Sequence, residues 1–219
     1  VKKVDMGEVI AESNEACATT DDSVSQNIDL DPFRVNLMSI NVDPFDGSTS
    51  GLLSGLDLLL ASNDGNDYYV PDFGVDQIGM IESSEGYRVV LNGAGSQSLT
   101  VNGVPADAGL SLALNPFTMN LLPYLPSDCI STDVVFSGYE DSILMAKSDD
   151  SDYYVPAFSV MTLTEMCPGE AYGVFLSGAS AIDFTYPTGG GFSSSHADVS
   201  LEDYRLRTRT DDVAQTGES

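Results

Sequence analysis

The sequence predicts an all-β chain with minor α content, built as two tandem homologous β-sandwich or barrel-like repeats of short antiparallel strands. Three observations predict this fold. Residues 58–94 and 143–179 align without gaps at an offset of 85, with 16 of 37 positions identical. Apolar and polar side chains alternate in short runs, which is the period of a strand. Clusters of Gly, Asn, Asp and Pro separate these runs, as turns do between strands.

The duplication is clearest at the pentapeptide DYYVP, which occurs at 67–71 and again at 152–156. With one gap the alignment extends backwards, so that Asn36 falls opposite Asn120. A fixed offset that extends far beyond five residues indicates one ancestral unit present twice. The predicted segments are an acidic arm or linker at 1–27, a first β repeat at 28–106, a second β repeat at 107–187, and a Gly/Ser hinge with the start of a C-terminal strand segment at 188–219.

Each repeat yields its elements in the same order. The runs "LDLLLAS" and "DSILMAK" are apolar strands that lead into "NDGND" and "SDDSD", whose residues favour tight hairpin turns. "YYVP" is the returning strand, and Pro71 and Pro156 end it or lie at an edge. "YRVVLNGA" and "YGVFLSGA" alternate with period two, as half-buried strands do. The segments "GSTSGLLSGL" and "STDVVFSGYED" are predicted to hold a short helix or turn.

The charge limits the partners of the chain, because 34 acidic residues against 8 basic ones give a net charge of -26. Nucleic-acid affinity comes mostly from Lys and Arg that neutralise phosphates, so a nucleic-acid partner is not expected. An anionic bilayer is disfavoured for the same reason, and the sequence has no apolar run of about 18 residues that predicts membrane insertion. The predicted partners are proteins or copies of the chain itself in a larger assembly, with glycans as a further class.

The three cysteines, Cys17, Cys129 and Cys167, lie far apart and include no CxxC pair. Their odd number implies no disulfide framework, and their spacing is not that of a metal site. Two interpretations remain open: Cys129 and Cys167 pair, or the cysteines are buried or free thiols, which is the interpretation we favour.

The repeat resembles a known type. The shared features are Asn36 and Asn120 in the first strand, both DYYVP copies, "FGVDQIGM", "CPGEAYGVFLSGA" and "FTYP". They resemble a duplicated β-rich repeat of large secreted and cell-surface proteins from Bacteroidetes-type and marine bacteria, which also occurs in structural and fibre-like proteins of phages. The family usually has Trp before the Asn, whereas this chain has Val35 and Met119 there. The resemblance implies a non-catalytic module of an extracellular, cell-surface or virion-associated protein.

Catalytic chemistry has little support in the sequence. The one histidine, His196, lies in the Gly/Ser-rich hinge, where a pre-organised base is unusual. "GGGFSSS" lacks the Lys and the strand-to-helix context of a phosphate-binding loop. Glu85 and Glu170 recur at matching places, which the repeat explains without a catalytic pair. We therefore expect no enzyme and no cofactor, with calcium as the one metal hypothesis.

The calcium hypothesis rests on the two acidic hairpin turns. Each turn offers several oxygen ligands, which suit a hard cation, although neither has the spacing of an EF-hand. The predicted ligands are Asp64, Asp67, Asp149 and Asp152. A solvated hairpin tip is the alternative interpretation.

The paired tyrosines beside these turns are the predicted binding residues. They are Tyr68, Tyr69, Tyr153 and Tyr154. Because adjacent strand residues point to opposite faces, one tyrosine of each pair is expected in the core and the other near solvent. An exposed ring with a hydroxyl group suits recognition of a sugar or a protein.

Near the C-terminus, Arg205, Arg207 and Arg209 alternate with Leu206 and Thr208, so a strand would place all three arginines on one face. This face is the predicted interaction surface for an acidic neighbour, with an exposed, charge-balanced face as the alternative. Together the observations predict a structural or assembly module: a decoration, spacer or fibre component. The alternative function is an adhesin-like or carbohydrate-binding module that uses exposed tyrosines, with or without calcium.

Overall fold

Short antiparallel strands make up almost all regular structure in the computed structural model, which describes residues 23–187. This confirms the predicted all-β class with minor α content. The first half contains β1 (Val24–Leu30), β2 (Asn36–Ser39), β3 (Val42–Pro44), α1 (Thr49–Leu52), β4 (Leu58–Asn63), β5 (Tyr68–Val70), β6 (Val75–Asp76), β7 (Gly86–Leu91) and β8 (Gln97–Pro105). The second half contains β9 (Leu112–Leu114), β10 (Asn120–Pro123), β11 (Ile130–Ser131), α2 (Thr132–Val135), β12 (Ile143–Lys147), β13 (Tyr153–Val155), β14 (Val160–Met161), β15 (Glu165–Met166), β16 (Ala171–Leu176) and β17 (Ile182–Phe184).

Each half is centred on a five-stranded sheet. The first sheet has the order β2-β7-β4-β5-β6 and the second has the order β10-β16-β12-β13-β14, so corresponding strands occupy corresponding places. Short 3-10 turns at Pro71–Phe73 and Pro156–Phe158 follow the two DYYVP strands, and each proline begins its turn. Proline fits there because its fixed φ suits the first position of a helical turn.

The inner face of each sheet follows from the period-two pattern. On β7 the side chains of Tyr87, Val89 and Leu91 are buried together in the core of the first half. The equivalent residues of β16 are buried in the core of the second half. Alternation therefore gives the correct buried face of both strands.

Smaller sheets cover these cores. β1, β8 and β3 form a three-stranded sheet whose Ile28, Leu99 and Val101 join the first core. In the second half β9 pairs with β17 alone. The segment of the second half that corresponds to β3 in the sequence alignment has Pro126 in the place of Val42. Proline cannot donate a ladder hydrogen bond.

The connections confirm the turn chemistry. The β4–β5 and β12–β13 hairpins turn through Asn66 and Ser151, each with positive φ. One-turn helices α1 and α2 occupy the two segments predicted to hold a helix or turn, and Ser48 caps α1 by accepting a hydrogen bond from Gly51 N–H.

One expectation is corrected. Cys129 and Cys167 form a disulfide, with Cα atoms 4.2 Å apart and a sequence separation of 38. The sequence favoured buried or free thiols, because the count of cysteines is odd. The pairing of β11 with β15 brings Ile130 opposite Met166, which places each cysteine next to a paired residue. That proximity is a product of the fold, since it joins strands from distant parts of the chain.

The predicted segment boundaries remain predictions. β1 begins at Val24, four residues before the boundary drawn at 28, and it pairs throughout with β8. Cys17, the hinge with His196, and Arg205, Arg207 and Arg209 lie outside the described residues.

Candidate functional site

The first five-stranded sheet has an apolar row on the face turned away from its core. Leu60 pairs with Val90, and Val70 pairs with Val75. Residues one step along each strand, such as Val89 and Ala61, are buried in the core, so the paired residues face the other way. Continuing the register adds Val35 opposite Val90. We call these residues the first outer row: Val35, Leu60, Val70, Val75 and Val90.

The second sheet repeats this arrangement. Met145 pairs with Phe175, and Val155 pairs with Val160, again one step from core residues. Continuing the register places Met119 opposite Phe175. The second outer row is therefore Met119, Met145, Val155, Val160 and Phe175.

Both outer rows are uncharged and partly exposed. Val35 is 47% exposed and Val160 is 41% exposed, and the others are half-buried. No member of either row packs against the two main cores or against a third, small buried cluster formed by Leu37, Leu121 and Ala171. Three of the five row positions differ in size between the repeats, yet all ten residues are apolar. Such a surface is unusual in a described region that carries 22 acidic and three basic residues.

Four phenylalanines stand almost fully exposed at equivalent places in the two repeats. Phe33 and Phe117 are 85% and 86% exposed, and Phe73 and Phe158 are 81% and 76% exposed. Phe33 and Phe117 also have backbone φ values of 62° and 61°, in a left-handed region that residues other than Gly, Asn and Asp rarely adopt. Each follows a proline in the segments "DPFR" and "NPFT". A strained, exposed aromatic residue in both copies indicates a function for the ring rather than for the fold.

Two buried asparagines hold these phenylalanine turns in place. Asn36 accepts a hydrogen bond from Asp31 N–H at 2.8 Å and donates to Asp31 C=O at 3.0 Å and Val89 C=O at 3.1 Å. Asn120 repeats all three contacts, with distances of 2.7, 3.0 and 3.1 Å to Asn115 and Val174. The resemblance includes these asparagines, and the structure gives their physical role.

The predicted tyrosines divide as the strand geometry requires. Tyr154 is buried and stacks on Phe136, with ring centroids 5.4 Å apart. Tyr69 packs against the core of the first half. Tyr68 and Tyr153 are 42% and 37% exposed. The first tyrosine of each pair is thus the one open to a ligand, and sugar binding through it stays a prediction.

The two sheets meet through their outer faces at one corner. Leu37, Leu121 and Ala171 form a small buried cluster there. Gly86, the equivalent of Ala171, approaches so closely that a Cβ atom would lie 2.9 Å from Leu121 Cβ. A side chain is therefore excluded at Gly86. Tyr124 N–H donates to Ser39 Oγ, which in turn donates to the Glu170 carbonyl, so polar contacts also join the halves.

One ion-pair cluster spans this contact. The Arg34 guanidinium contacts Asp149 at 2.8 Å and Asp150 at 2.5 Å, and Asp149 also accepts from Leu37 N–H at 3.0 Å. The hydrogen bond to Asp150 raises the pKa of Arg34. Burial raises the pKa of Asp149, although the Leu37 N–H and Arg34 oppose it. Burial likewise raises the pKa of Glu170, whose carboxylate accepts a 2.5 Å hydrogen bond from Tyr172.

The equivalent place in the other half lacks this ion-pair cluster of Arg34, Asp149 and Asp150, which we call the Arg34 clamp. Thr118 stands opposite Arg34 in the alignment, and Asp64, the counterpart of Asp149, contacts Arg88 at 3.5 Å instead. The Arg34 clamp therefore makes the contact between the halves asymmetric. Sequence reasoning missed Arg34 as a functional residue, because its partners in the second repeat lie more than 100 positions away.

The predicted calcium ligands are divided between different contacts. Asp149 is engaged by Arg34, Asp64 lies near Arg88, and Asp67 lies 3.4 Å from the Asn63 amide. Asp152 closes its hairpin through backbone contacts with Ser148. Within residues 23–187 no group of three or more His, Cys, Asp or Glu side chains is arranged to hold a metal ion. Calcium binding at these turns stays a prediction.

Comparison with known proteins adds no family to this geometry. The chain matches no family model, no curated protein and no solved structure. In the part of the chain that the structure describes, no helix is long and apolar enough to cross a membrane.

Proposed function

We propose that this chain is a non-catalytic structural or assembly module of an extracellular or virion-surface protein, acting as a decoration, spacer or fibre component. The observation that carries the proposal is the pair of outer rows. Ten apolar residues at equivalent positions stay partly exposed and outside every core cluster. Exposed apolar surface rimmed by polar residues is typical of protein contact sites.

A second copy of the chain is the partner that fits these rows best. Within one molecule the two sheets already bury their outer faces against each other at Leu37, Leu121 and Ala171. The outer rows continue the same two faces, so contact between copies extends an arrangement that the sequence already forms. Because the rows contain no charge, the repulsion between acidic copies comes from the surrounding surface.

The strained phenylalanines support the same role. Holding Phe33 or Phe117 at positive φ costs on the order of 1 kcal/mol or more, and an exposed ring returns little of that by burial within the chain. Contact with a partner would bury the ring. Phe33 lies two residues before Val35, at one end of the first outer row.

An extracellular or virion-surface setting has separate support. The disulfide between Cys129 and Cys167 is typical of oxidising compartments. The strong net negative charge favours solubility in exposed settings. The resemblance to repeats of secreted, cell-surface and phage proteins agrees with both.

Sedimentation velocity of the full chain tests the proposal. We expect association that grows with concentration and with salt, because salt screens repulsion between acidic copies but not apolar contact. Val90→Thr with Phe175→Thr removes apolar surface from both rows and should abolish association. Ser98→Thr with Asn102→Thr changes exposed positions on β8 and serves as the matched control. A chain that stays monomeric at every concentration and salt would refute self-assembly.

An adhesin-like or carbohydrate-binding role is the second candidate, because Tyr68 and Tyr153 are both exposed beside acidic hairpins. A glycan array with and without calcium, using the wild type and Tyr68→Ala with Tyr153→Ala, tests it. Binding that the double variant loses would support this role, and no glycan binding in either calcium condition would contradict it.

A further inference from the structure

Each outer row runs across the width of its sheet and has an exposed phenylalanine near both ends. Phe33 lies two residues before Val35, and Phe73 lies two residues before Val75, the two end members of the first outer row. The equivalent phenylalanines flank the second outer row in the same way. Because neighbouring strands lie about 4.8 Å apart, a row across five strands is about 19 Å long. One chain therefore carries two equivalent apolar strips.

Two strips on one chain allow assembly beyond a dimer. A copy that binds through one row still has its other row, so each copy can join two neighbours. Like rows can pair around two-fold axes, or the first row of one copy can pack on the second row of the next. The sizes of the row residues distinguish these two arrangements.

The two rows differ most in size at the end beside β2 and β10. Val35 stands opposite Val90 in the first outer row, whereas Met119 stands opposite Phe175 in the second. Gly173 lacks a side chain, and Met119 lies across it with its sulfur 3.0 Å from the place of a Cβ atom. The same end is therefore shallow in the first row and bulky in the second.

A bulky patch packs best on a shallow one, because facing surfaces interdigitate when large side chains meet small ones. Contact between like rows would set Met119 and Phe175 of one copy against the same two residues of the next. It would also leave a gap between the paired valines, whose dispersion contacts would be lost. Contact between unlike rows avoids both costs.

The contact inside the chain already follows this rule. The outer faces of unlike repeats meet there, and Gly86 of the first repeat leaves room for Leu121 of the second. A Cβ atom at Gly86 would lie 2.9 Å from Leu121 Cβ, whereas the equivalent position of the second repeat carries Ala171. The first repeat thus supplies the smaller side chain where outer faces meet.

Arg88 favours the same arrangement. It lies on the outer face of β7 two residues from Val90, and its guanidinium donates to Asn63 C=O at 3.1 Å within its own repeat. A Phe175 ring seated on Val90 would lie beside this guanidinium, and cation–π attraction stabilises such a pair. In the second repeat Gly173 holds the place of Arg88, so only unlike rows bring these two side chains together.

We propose that copies of the chain join through unlike rows, with the second outer row of one copy on the first outer row of the next. Head-to-tail contacts of this kind build a filament with a direction, or a ring where the rotation between copies closes. Directional pairing rests on the proposed assembly function, and it specifies which surface of the partner each row binds.

Sedimentation velocity of two single variants and of their mixture tests the proposal. Val90→Thr disrupts the first row alone, and Phe175→Thr disrupts the second row alone. We expect the wild type to form species that grow with concentration, and each single variant to stay monomeric. An equimolar mixture of the two variants should form a one-to-one dimer and nothing larger, because one intact pair of unlike rows remains.

A second set of variants keeps both rows apolar, so that loss of association does not depend on a polar substitution. Val90→Phe sets bulk against bulk and should weaken association about tenfold or more. Adding Phe175→Val returns a bulky residue facing a small one, so association should recover to within about threefold of the wild type. The control variant of β8, Ser98→Thr with Asn102→Thr, should associate as the wild type does.

Each other outcome contradicts a stated step. Dimers formed by a single Thr variant alone, with none specific to the mixture, would show that like rows pair and overturn the proposal. Growth of a single variant beyond a dimer, or unchanged association of Val90→Phe, would also overturn it. A wild type that stays monomeric at every concentration and salt overturns the assembly function itself, and directional pairing with it. Association of the wild type therefore separates the two failures.

Discussion

The asparagines that hold the phenylalanine turns allow the sharpest test of the fold. Asn36→Ala removes one accepted and two donated hydrogen bonds from a side chain that is 5% exposed. The backbone groups of Asp31 and Val89 lose their partners, and the burial of the site limits the access of water to them. At about 1 kcal/mol for each lost contact, the free energy of unfolding should fall by roughly 2–4 kcal/mol.

The duplication supplies an internal replicate. Asn120 is 3% exposed and makes the same three contacts, so Asn120→Ala should cost the same within about 1 kcal/mol. The two sites share no partner, so their effects should add within roughly 0.5 kcal/mol. Asn27→Ala is the control: Asn27 is exposed and accepts one hydrogen bond from Thr100, so its loss should cost less than about 0.5 kcal/mol.

Urea unfolding followed by far-ultraviolet circular dichroism measures these changes, which suits a chain without tryptophan. A loss below about 1 kcal/mol at both Asn36 and Asn120 would show that water replaces the side chain. That result would refute a role for these contacts in holding the phenylalanine turns. A large loss at one site alone would instead contradict the equivalence of the two repeats.

Three further predictions concern the second half and its contact with the first. In a double-mutant cycle with Arg34→Met and Asp149→Asn, we expect a coupling energy of roughly 1–2 kcal/mol by urea unfolding, because the pair is partly buried and 2.8 Å apart. Cys129→Ser with Cys167→Ser should lower the free energy of unfolding by about 3–4 kcal/mol, the chain-entropy value for a loop of this length. Glu170→Gln should raise thermal stability at pH 7 and have no effect near pH 4.

The sign of the last prediction follows from the proton affinity of each state. Burial raises the pKa of Glu170 above its ordinary value of 4.5, so the folded chain binds this proton more tightly than the unfolded chain. That contribution to stability is present below about pH 4.5 and is lost as the pH rises through the folded-state pKa. Gln keeps an acceptor for Tyr172 and carries no charge. Lower stability of Glu170→Gln at pH 7 would contradict this account.

The other two predictions have their own controls. A double-mutant cycle with Arg88 and Asp64, which lie 3.5 Å apart within one repeat, should give a coupling energy below about 1 kcal/mol. If this coupling energy equals that of Arg34 with Asp149, the prediction that the Arg34 clamp contributes more than an ordinary surface ion pair is wrong. For the disulfide, a reducing agent should lower the free energy of unfolding of the wild type to that of the double Ser variant. An unchanged free energy of unfolding after reduction would contradict a stabilising role for this bond.

The sequence is sufficient for what depends on local pattern. The offset of 85 pairs the elements of the two halves, and alternation at Tyr87, Val89 and Leu91 identifies the buried face of β7 from residue order alone. These features follow from the two-residue period of a strand and from the chemistry of Asn, Gly and Pro in turns. The same period shows that Tyr68 and Tyr69 point to opposite faces, though not which of them is exposed.

Tertiary structure alone decides what depends on long-range packing. Alternation gives every strand two faces, but whether the second face is covered depends on which elements pack there, so the outer rows could not be predicted. The Arg34 clamp and the disulfide between Cys129 and Cys167 join groups that the chain brings together only after the sheets form. The position of β1 at the edge of its sheet is of the same kind, because a strand becomes an edge only when the order of its sheet is fixed.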